Sequence, residues 1–466
     1  VNSTRPSPTR LLPAILFLIG AGPAHAHLPS IPPPSAAPQA IRAATDPFLA
    51  ALAVRSPTAD FAEAINGAAR TLPVLGERGA DVAAAAALRD QARSRLFPTL
   101  GVDAVGARTI ARDFQLSSTQ VENLSPRSRN DVTGSVEQLV ADFGATGARI
   151  RAGNANEDSA RATLDAARNA ALLQLVGAWV DVLSARTAVS LSAATVARLD
   201  DLAQGAALRF ERGVDSGGDV ARARSYLAAA QSQQVNFLRR RTSAEARFAE
   251  IFGSVPGTLV RPALPGDAGI VTPRPEVVAA RADARAADAA VDAAKSDRLP
   301  RIGIRVGGTA YDVLNGRQPD HDVRAQLTLT QRFSAGGGEA ARVAELAARR
   351  QSAGFAVDRI DAAATRERAT AEADVAGLAG SLPPLTAAYL DALRARDLFV
   401  EQFRVSRGTL FDVLRAERDL LDTALALAQT GYDHDVARFT LLARRGGLIE
   451  YFGLTPAVIA NRDLPQ

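Results

Sequence analysis

Side chains that could do covalent or metal chemistry are few and scattered in this chain of 466 residues. Cysteine is absent, which removes disulfides, thiolate nucleophiles, thiolate zinc sites and lipid attachment at cysteine together. Of four histidines, His25 and His27 flank a candidate cleavage site, and His321 and His434 are far apart with no metal-ligand spacing. Lys295 is the only lysine, so no Gly-rich loop ending in Lys-Ser or Lys-Thr exists and a P-loop nucleotide site is excluded. The triple glycine Gly336-Gly337-Gly338 has no other nucleotide signal near it, and the neighbours Asp200-Asp201 fit a solvated helix face. An enzyme is not expected, nor a cofactor or a bound metal.

Two other acids recur in a pattern. Asp219-Val220 and Asp412-Val413 lie 412 − 219 = 193 residues apart, and the same offset aligns Phe210 with Phe403, Arg222 with Arg415 and Ala223 with Ala416. In both copies an Ala-rich helical pattern stops, turns through small or polar residues and restarts, with the acid just inside the new helix. There a carboxylate is favoured by the free N–H groups and the helix dipole. A fixed internal offset argues for one duplicated architecture rather than unrelated domains.

Composition agrees with helices. Hydrophobic residues make up 47% but aromatics only 5%, so the apolar share rests on Ala with Leu and Val, and Ala is the best helix former. The 54 basic and 50 acidic residues, net +4, are interleaved. No basic stripe with interleaved aromatics exists, so nucleic acid is not an expected partner.

Residues 1–26 read as a signal peptide: Arg5 and Arg10, a short apolar run from Leu11 to Gly20, then Ala24-His25-Ala26. Residues 27–56 are a Pro-rich leader, expected to be extended around Pro29 to Pro38. No later stretch reads as a membrane-crossing helix, so membrane contact would have to be made by strands. The first repeat, 57–253, opens with helical patterns from Pro57 and from Asp81 to Leu96.

Past Pro98 the period becomes two. Leu100, Val102 and Ala104 alternate with polar neighbours, and 130–140 follows more weakly; Ile302, Ile304 and Val306 and then Val323, Ala325, Leu327 and Leu329 repeat this in the second half. Each run has about ten residues, the length of a tilted strand crossing a bilayer. The polar partners include Arg305 and Arg324, which suits a watery lumen opposite lipid; a soluble half-buried sheet is the alternative. After each strand pair a Gly-bearing turn feeds a long helix. The first runs from the turn at Phe143-Gly144 to about Phe210, roughly 90 Å at 1.5 Å per residue and too long for one globular domain. A returning helix stops near Gly253, a Gly- and Pro-rich linker covers 254–274, the second repeat 275–452 follows with Pro383-Pro384 expected to break its long helix, and 453–466 is a tail.

Four bilayer-length strands cannot close a barrel, because the smallest have about eight and an open edge in lipid leaves backbone groups unsatisfied. The barrel must be shared, and three copies of four give twelve strands. The expected fold is mixed but mainly α: duplicated long helical hairpins forming an α-helical barrel, with four transmembrane strands per chain in the twelve-stranded barrel of a trimer.

At this point the chain resembles the TolC family of outer-membrane efflux and secretion channels over nearly all its mature length. The resemblance rests on the duplicated element order, on Arg274-Pro275-Glu276-Val277, on Phe333-Ser334-Ala335-Gly336-Gly337 and on the two turns; the segment from Glu401 to Leu414 looks most like the type I protein secretion subgroup. It implies a homotrimer in the outer membrane of a Gram-negative bacterium with a large periplasmic portion. Its partners would be outer-membrane lipid, a periplasmic adaptor (membrane fusion) protein and an inner-membrane transporter, the ABC type favoured. Drug or metal efflux stays open as the alternative, as does a soluble periplasmic coiled-coil scaffold. By position the resemblance makes Arg212-Gly213-Val214 and Val405-Ser406-Arg407 the periplasmic tips that contact the adaptor, and Asp219 and Asp412 the constriction acids. Three residues depart from the family pattern: Ser406 stands at the usual tip Gly, Gly408 where an Arg can help latch the closed state, and Arg415 where relatives place a second Asp. A ring holding both Asp412 and Arg415 implies weaker cation selectivity, and weaker block by multivalent cations, than an all-acidic ring gives.

Overall fold

A computed structural model describes residues 28–111, 128–266, 272–314, 320–331, 333 and 335–454. The expected signal peptide, Ser334 of the second Gly-bearing turn and most of the expected tail lie outside the described residues. Two short 3-10 turns lead into α1 (Pro47–Ala53), α2 (Thr58–Ala69) and α3 (Pro73–Ser94). Then come β1 (Thr99–Arg108), β2 (Ser128–Ala141), α4 (Ala145–Glu211) and α5 (Gly217–Phe252). The second half has α6 (Pro275–Ser296), β3 (Arg301–Ala310), β4 (His321–Thr330), α7 (Gly338–Arg404), α8 (Leu410–Arg444) and α9 (Leu448–Tyr451).

The duplication is kept to the residue along both long helices and through both turns. α4 and α7 each have 67 residues, their starts differ by 338 − 145 = 193 and their ends by 404 − 211 = 193, and the returning helices start 410 − 217 = 193 apart. Both long helices are entered through a left-handed glycine, Gly144 at φ 94° and Gly337 at φ 72°, a conformation that side chains with a Cβ resist. Asp142 closes the first entry by accepting from the Thr146 N–H at 2.6 Å.

Three expectations are corrected. The helix expected from Asp81 starts at Pro73, where proline suits a first turn. α7 runs unbroken through Pro383 and Pro384. The carbonyls those prolines leave without a donor belong to Ala379 and Gly380, both exposed residues that water can solvate. Finally, an 18-residue window of α4 is long and apolar enough to cross a bilayer. In the fold α4 instead packs into the core through Leu172, Leu175, Val176, Val180, Val182 and Leu183.

The strands form one antiparallel sheet in the order β1-β2-β3-β4. Its register stacks Leu100 on Val136, Val136 on Val306 and Val306 on Ala325, with Ile304 beside Leu327 and Ile302 beside Leu329. Side chains alternate across a strand, so this alignment gathers the apolar residues on one face. The opposite face carries Asp103, Glu137, Arg305 and Arg324, with Arg305 donating to Glu137 at 2.8 Å and Thr133 bonded to Thr309 at 3.0 Å. A soluble half-buried sheet would have that apolar face covered. Here Leu100 and Val102 are each 80% exposed and Val323, Leu327 and Leu329 are open as well.

One group of aromatics gathers in a belt where α2, α4, α5, α8 and α9 meet. Trp179 lies 5.3 Å from Phe61, Phe248 and Phe252 stack at 4.0 Å, and Phe439 and Phe452 close the group. The Trp179 indole donates to the Val260 carbonyl at 2.9 Å, tying the linker to the belt.

The leader has no regular structure over 28–37, but it forms a 3-10 turn at Pro38–Ala40 and α1 from Pro47, and it is not free. Arg396 donates to the Pro32 carbonyl at 3.0 Å, the Ser35 N–H to Asp397 at 3.0 Å, and Tyr389 to Asp46 at 3.1 Å. Ile31, Phe48 and Leu52 are buried with α4, α7 and α8. Above this, fully buried Asp435 accepts from Arg55 at 3.0 Å and Arg261 at 2.8 Å, and Arg261 also donates to the Leu52 and Gly431 carbonyls. One carboxylate thus joins leader, linker and α8. Replacing one partner of a buried pair strands the other charge, so Asp435→Asn is expected to lower stability by about 3–5 kcal/mol. Arg78→Ala, which breaks the exposed Arg78–Asp81 pair, is expected to change it by less than about 1 kcal/mol. Denaturant unfolding of the two variants in detergent checks the contrast.

Candidate functional site

The two hairpins end side by side, and both ends have the same backbone construction. At the first, Gly213 at φ 71° sends its N–H to the Phe210 carbonyl at 2.9 Å while Val214 N–H reaches Arg209 at 2.9 Å. At the second, Ser406 at φ 58° donates to Phe403 at 3.1 Å and Arg407 to Gln402 at 2.8 Å. This crossed pair of bonds around one left-handed residue closes a helix C-terminus. Ser406 holds that conformation despite its Cβ, which disfavours it relative to glycine by about 1 kcal/mol.

Both chains restart through reciprocal caps. Ser216 Oγ accepts from the Asp219 N–H at 3.2 Å, and Asp219 accepts from the Ser216 N–H at 3.2 Å and hydroxyl at 2.7 Å. Thr409 and Asp412 repeat the arrangement at 3.2, 3.3 and 2.6 Å. The two acids therefore satisfy helix-end donors that would otherwise lack partners. The Ser216 hydroxyl, then its backbone N–H, hold the Asp219 carboxyl below the ordinary aspartate range, and the Arg222 charge adds to this.

An arginine follows each acid by three residues. The Arg222 guanidinium lies 4.8 Å from the centre of the Phe411 ring, across from the other hairpin. Arg415 stands exposed, with a loose 3.7 Å contact to Asp419. Arg209 is held by Asp215 at 3.0 Å and stacks over Phe403 at 4.8 Å, again across the two hairpins. Gly408 is packed tightly: a Cβ there would lie 3.1 Å from Gln402 Cβ and 3.2 Å from the Phe403 nitrogen, so an arginine at this position would shift the tip itself.

The outermost residues are solvent-facing. Arg212 and Arg407 are exposed and make no ion pair among the described residues, and Val214, Val405, Leu208 and Phe210 are exposed as well. Sequence reasoning missed the two arginine–aromatic contacts and a buried cluster above them. There Glu417 sits fully buried between Arg198 at 3.5 Å and Arg396 at 3.7 Å. Burial pushes its carboxyl above the usual range against the pull of both guanidiniums. Arg209 and Asp215, six residues apart around the turn, were the one visible signal. Among the described residues no group of three His, Asp or Glu side chains could hold a metal.

Removing either cap hydroxyl, as in Ser216→Ala or Thr409→Ala, is expected to destabilise the first turn of its helix by about 0.5–2 kcal/mol. Amide hydrogen exchange should quicken there and not in the belt. Ser406→Gly should slow exchange at the second turn by relieving the left-handed side chain. The sign for Asp219 follows from its lowered pKa. Its cap is at full strength above the ordinary aspartate range, survives acidification through that range, and is lost only as pH falls through the lower folded value. Exchange in α5 followed against pH checks this.

A model of the outer membrane efflux protein family matches residues 65–254. The outer membrane efflux protein BepC of Brucella suis is 24% identical over 353 residues, covering 72% of this chain and 76% of that protein. Protein CyaE of Bordetella pertussis is 27% identical over 263 residues, 53% of each chain. The outer membrane protein VceC of Vibrio cholerae shares the fold, with a TM-score of 0.73 over 85% of this chain and 96% of that one at 18% identity. The matched segment spans the first repeat from α2 through α5, and the 193-residue offset carries the same hairpin into the second. The chain is therefore similar in sequence to outer membrane efflux proteins over its first repeat, and it shares the fold of outer-membrane channels.

Proposed function

We propose that this outer-membrane channel is a homotrimer acting as the passive exit duct of a type I protein secretion system. The observation that carries the trimer is the sheet: four strands with one apolar face open, one charged face and two unpaired edges. Three such sheets joined edge to edge give twelve strands, with lipid outside and the Glu137–Arg305 face toward water. The same threefold ring turns six helical hairpins into a tunnel. The type I assignment rests on the sequence from Glu401 to Leu414.

At the tunnel end, Arg212, Gly213, Val214, Val405, Ser406, Arg407 and Gly408 form the surface offered to a periplasmic adaptor, which links the duct to an inner-membrane ABC transporter. The exposed valines beside unpaired arginines suit a partner with apolar and acidic groups. Asp219 and Asp412 line the constriction, and Arg222 and Arg415 one turn further make its charge mixed. Small-molecule efflux is the second reading, favoured by the family's own description as efflux proteins.

The two readings separate in a deletion strain of the source bacterium. Loss of particular proteins from the culture supernatant, with sensitivity to ethidium and copper unchanged, is the result expected. Unchanged supernatant proteins with raised sensitivity would move the assignment to small-molecule efflux. In planar bilayers the mixed ring is expected to give weak cation selectivity that Arg415→Ala strengthens. Strong cation selectivity, unaltered by that substitution, would contradict the mixed constriction.

A further inference from the structure

Well above the hairpin ends, α5 and α8 flank α4 and leave a cleft of about 990 Å³ between them. Ala185 and Ala188 of α4 and Leu425 and Ala426 of α8 line part of it with small and apolar groups, and Ser184 donates to Gln429 there at 2.8 Å. α5 supplies Arg239, Arg240 and Arg247, all exposed, together with Asn236 and Ser243. Arg247 lies 3.7 Å from Asp181, the acid that lines the cleft with them. Asp433, one turn further along α8, accepts from Gln429 at 2.8 Å. Arg239 and Arg240 make no ion pair among the described residues. The duplication does not account for these arginines, because their counterparts 193 residues on are Tyr432, Asp433 and Thr440.

α4 shows which way the cleft opens. Near its start, Arg149 lines a hollow with Thr99, Glu137 and Thr328 of the sheet's polar face. Arg149 and Ala185 are 185 − 149 = 36 residues apart, about ten turns of 3.6 residues, so both stand on one side of the helix. The other side carries Trp179 and Arg186, which donate to the linker carbonyls of Val260 and of Pro256 and Gly257. The belt and linker thus lie behind the helical layer, and the cleft opens on the side of the sheet's polar face. In the ring of the trimer reading, on which this inference rests, that side is the lumen and three clefts stand at one height.

A guanidinium presents paired N–H donors that match the two oxygens of a carboxylate. At exposed positions each such pair is weak, so a carboxylate-bearing chain would be held and then let go. A conduit needs sites of that kind, favourable enough to enter and weak enough to leave. A single-stranded nucleic acid would need exposed rings for its bases to stack on, whereas Phe237, 6.0 Å from the Arg240 guanidinium, is buried.

We propose that this cleft is a transit site for acidic segments of the exported polypeptide, with Arg239 and Arg240 as the groups that take the carboxylates. It concentrates acidic stretches of cargo at mid-tunnel and favours acidic over basic chains in passage.

The probe is a fluorescein-labelled glutamate oligopeptide, titrated with the full-length protein in lipid nanodiscs and followed by anisotropy. Arg239→Gln with Arg240→Gln is expected to weaken its binding about tenfold. Arg78→Gln, an exposed change on α3, is expected to leave it unaltered, as is exchange of the probe for a Gly-Ser peptide that does not bind. Equal binding by wild type and the double variant, or none by wild type, overturns the proposal. Binding of polyphosphate or of an oligonucleotide without binding of the glutamate peptide overturns the assignment to acidic polypeptide.

The direction of the cleft is read separately. Because the chain has no cysteine, Arg240→Cys gives it a single thiol. In planar bilayers, complete modification by an anionic methanethiosulfonate is expected to change the conductance, and the glutamate peptide to slow the modification. Unchanged conductance of fully modified particles of trimeric mass overturns the luminal assignment, whereas a monomeric mass overturns the trimer reading beneath it.

Discussion

Among the described residues, β1 and β4 each leave one row of backbone N–H and C=O groups without a strand partner. In hydrocarbon every such group is unfavourable by several kcal/mol, so the sheet cannot enter a bilayer alone. The same sheet carries uncovered valines and leucines on one face, so it cannot stay comfortably in water either. Pairing its edges with other copies answers both requirements. The helices inherit the consequence, because each strand pair runs directly into a long helix through Gly144 or Gly337, and a ring of strands becomes a ring of helices.

That inheritance explains where the chain invests its polar burial. Helices of 67 residues gain little from a single compact core. The belt around Trp179, the Asp435 carboxylate and the leader bonds to Arg396 and Asp397 bind segments that are distant in sequence. Together they hold the hairpins to one another and to the leader and linker. Below the belt, stability depends on small-residue packing and on the tip contacts, which is where the two halves diverge. The backbone repeats at 193 residues, but Asp215 and Arg209 meet only Gly408 and Gln402 at the repeated positions. Symmetry of fold and asymmetry of side chains therefore coexist at the ends of the two hairpins.

Much of this was legible in the sequence because the relevant signals are local. Strand alternation was clear since the two faces meet different surroundings, and Ser216-x-x-Asp219 and Thr409-x-x-Asp412 carry the spacing of reciprocal helix caps. What escaped depended on context. Pro383 and Pro384 are tolerated only because the carbonyls they orphan face solvent. The apolar window of α4 looks the same whether a bilayer or the aromatic belt covers it. The leader's docking depends on Arg396 and Asp397, more than 360 residues away, and the Arg209–Phe403 and Arg222–Phe411 contacts require knowing which hairpins lie side by side. The pairing of Arg222 with Arg415 was visible in the 193-residue offset, but not that only Arg222 has a ring, Phe411, to cover.

Everything above the single chain follows from edge pairing between copies, so the number of chains per particle is the quantity to measure. Native mass spectrometry of the protein released from lipid nanodiscs reads it directly. The account predicts particles of three chains, with no stable monomer retained in the bilayer. A membrane-inserted monomer, or a uniform assembly of any other number, would contradict it.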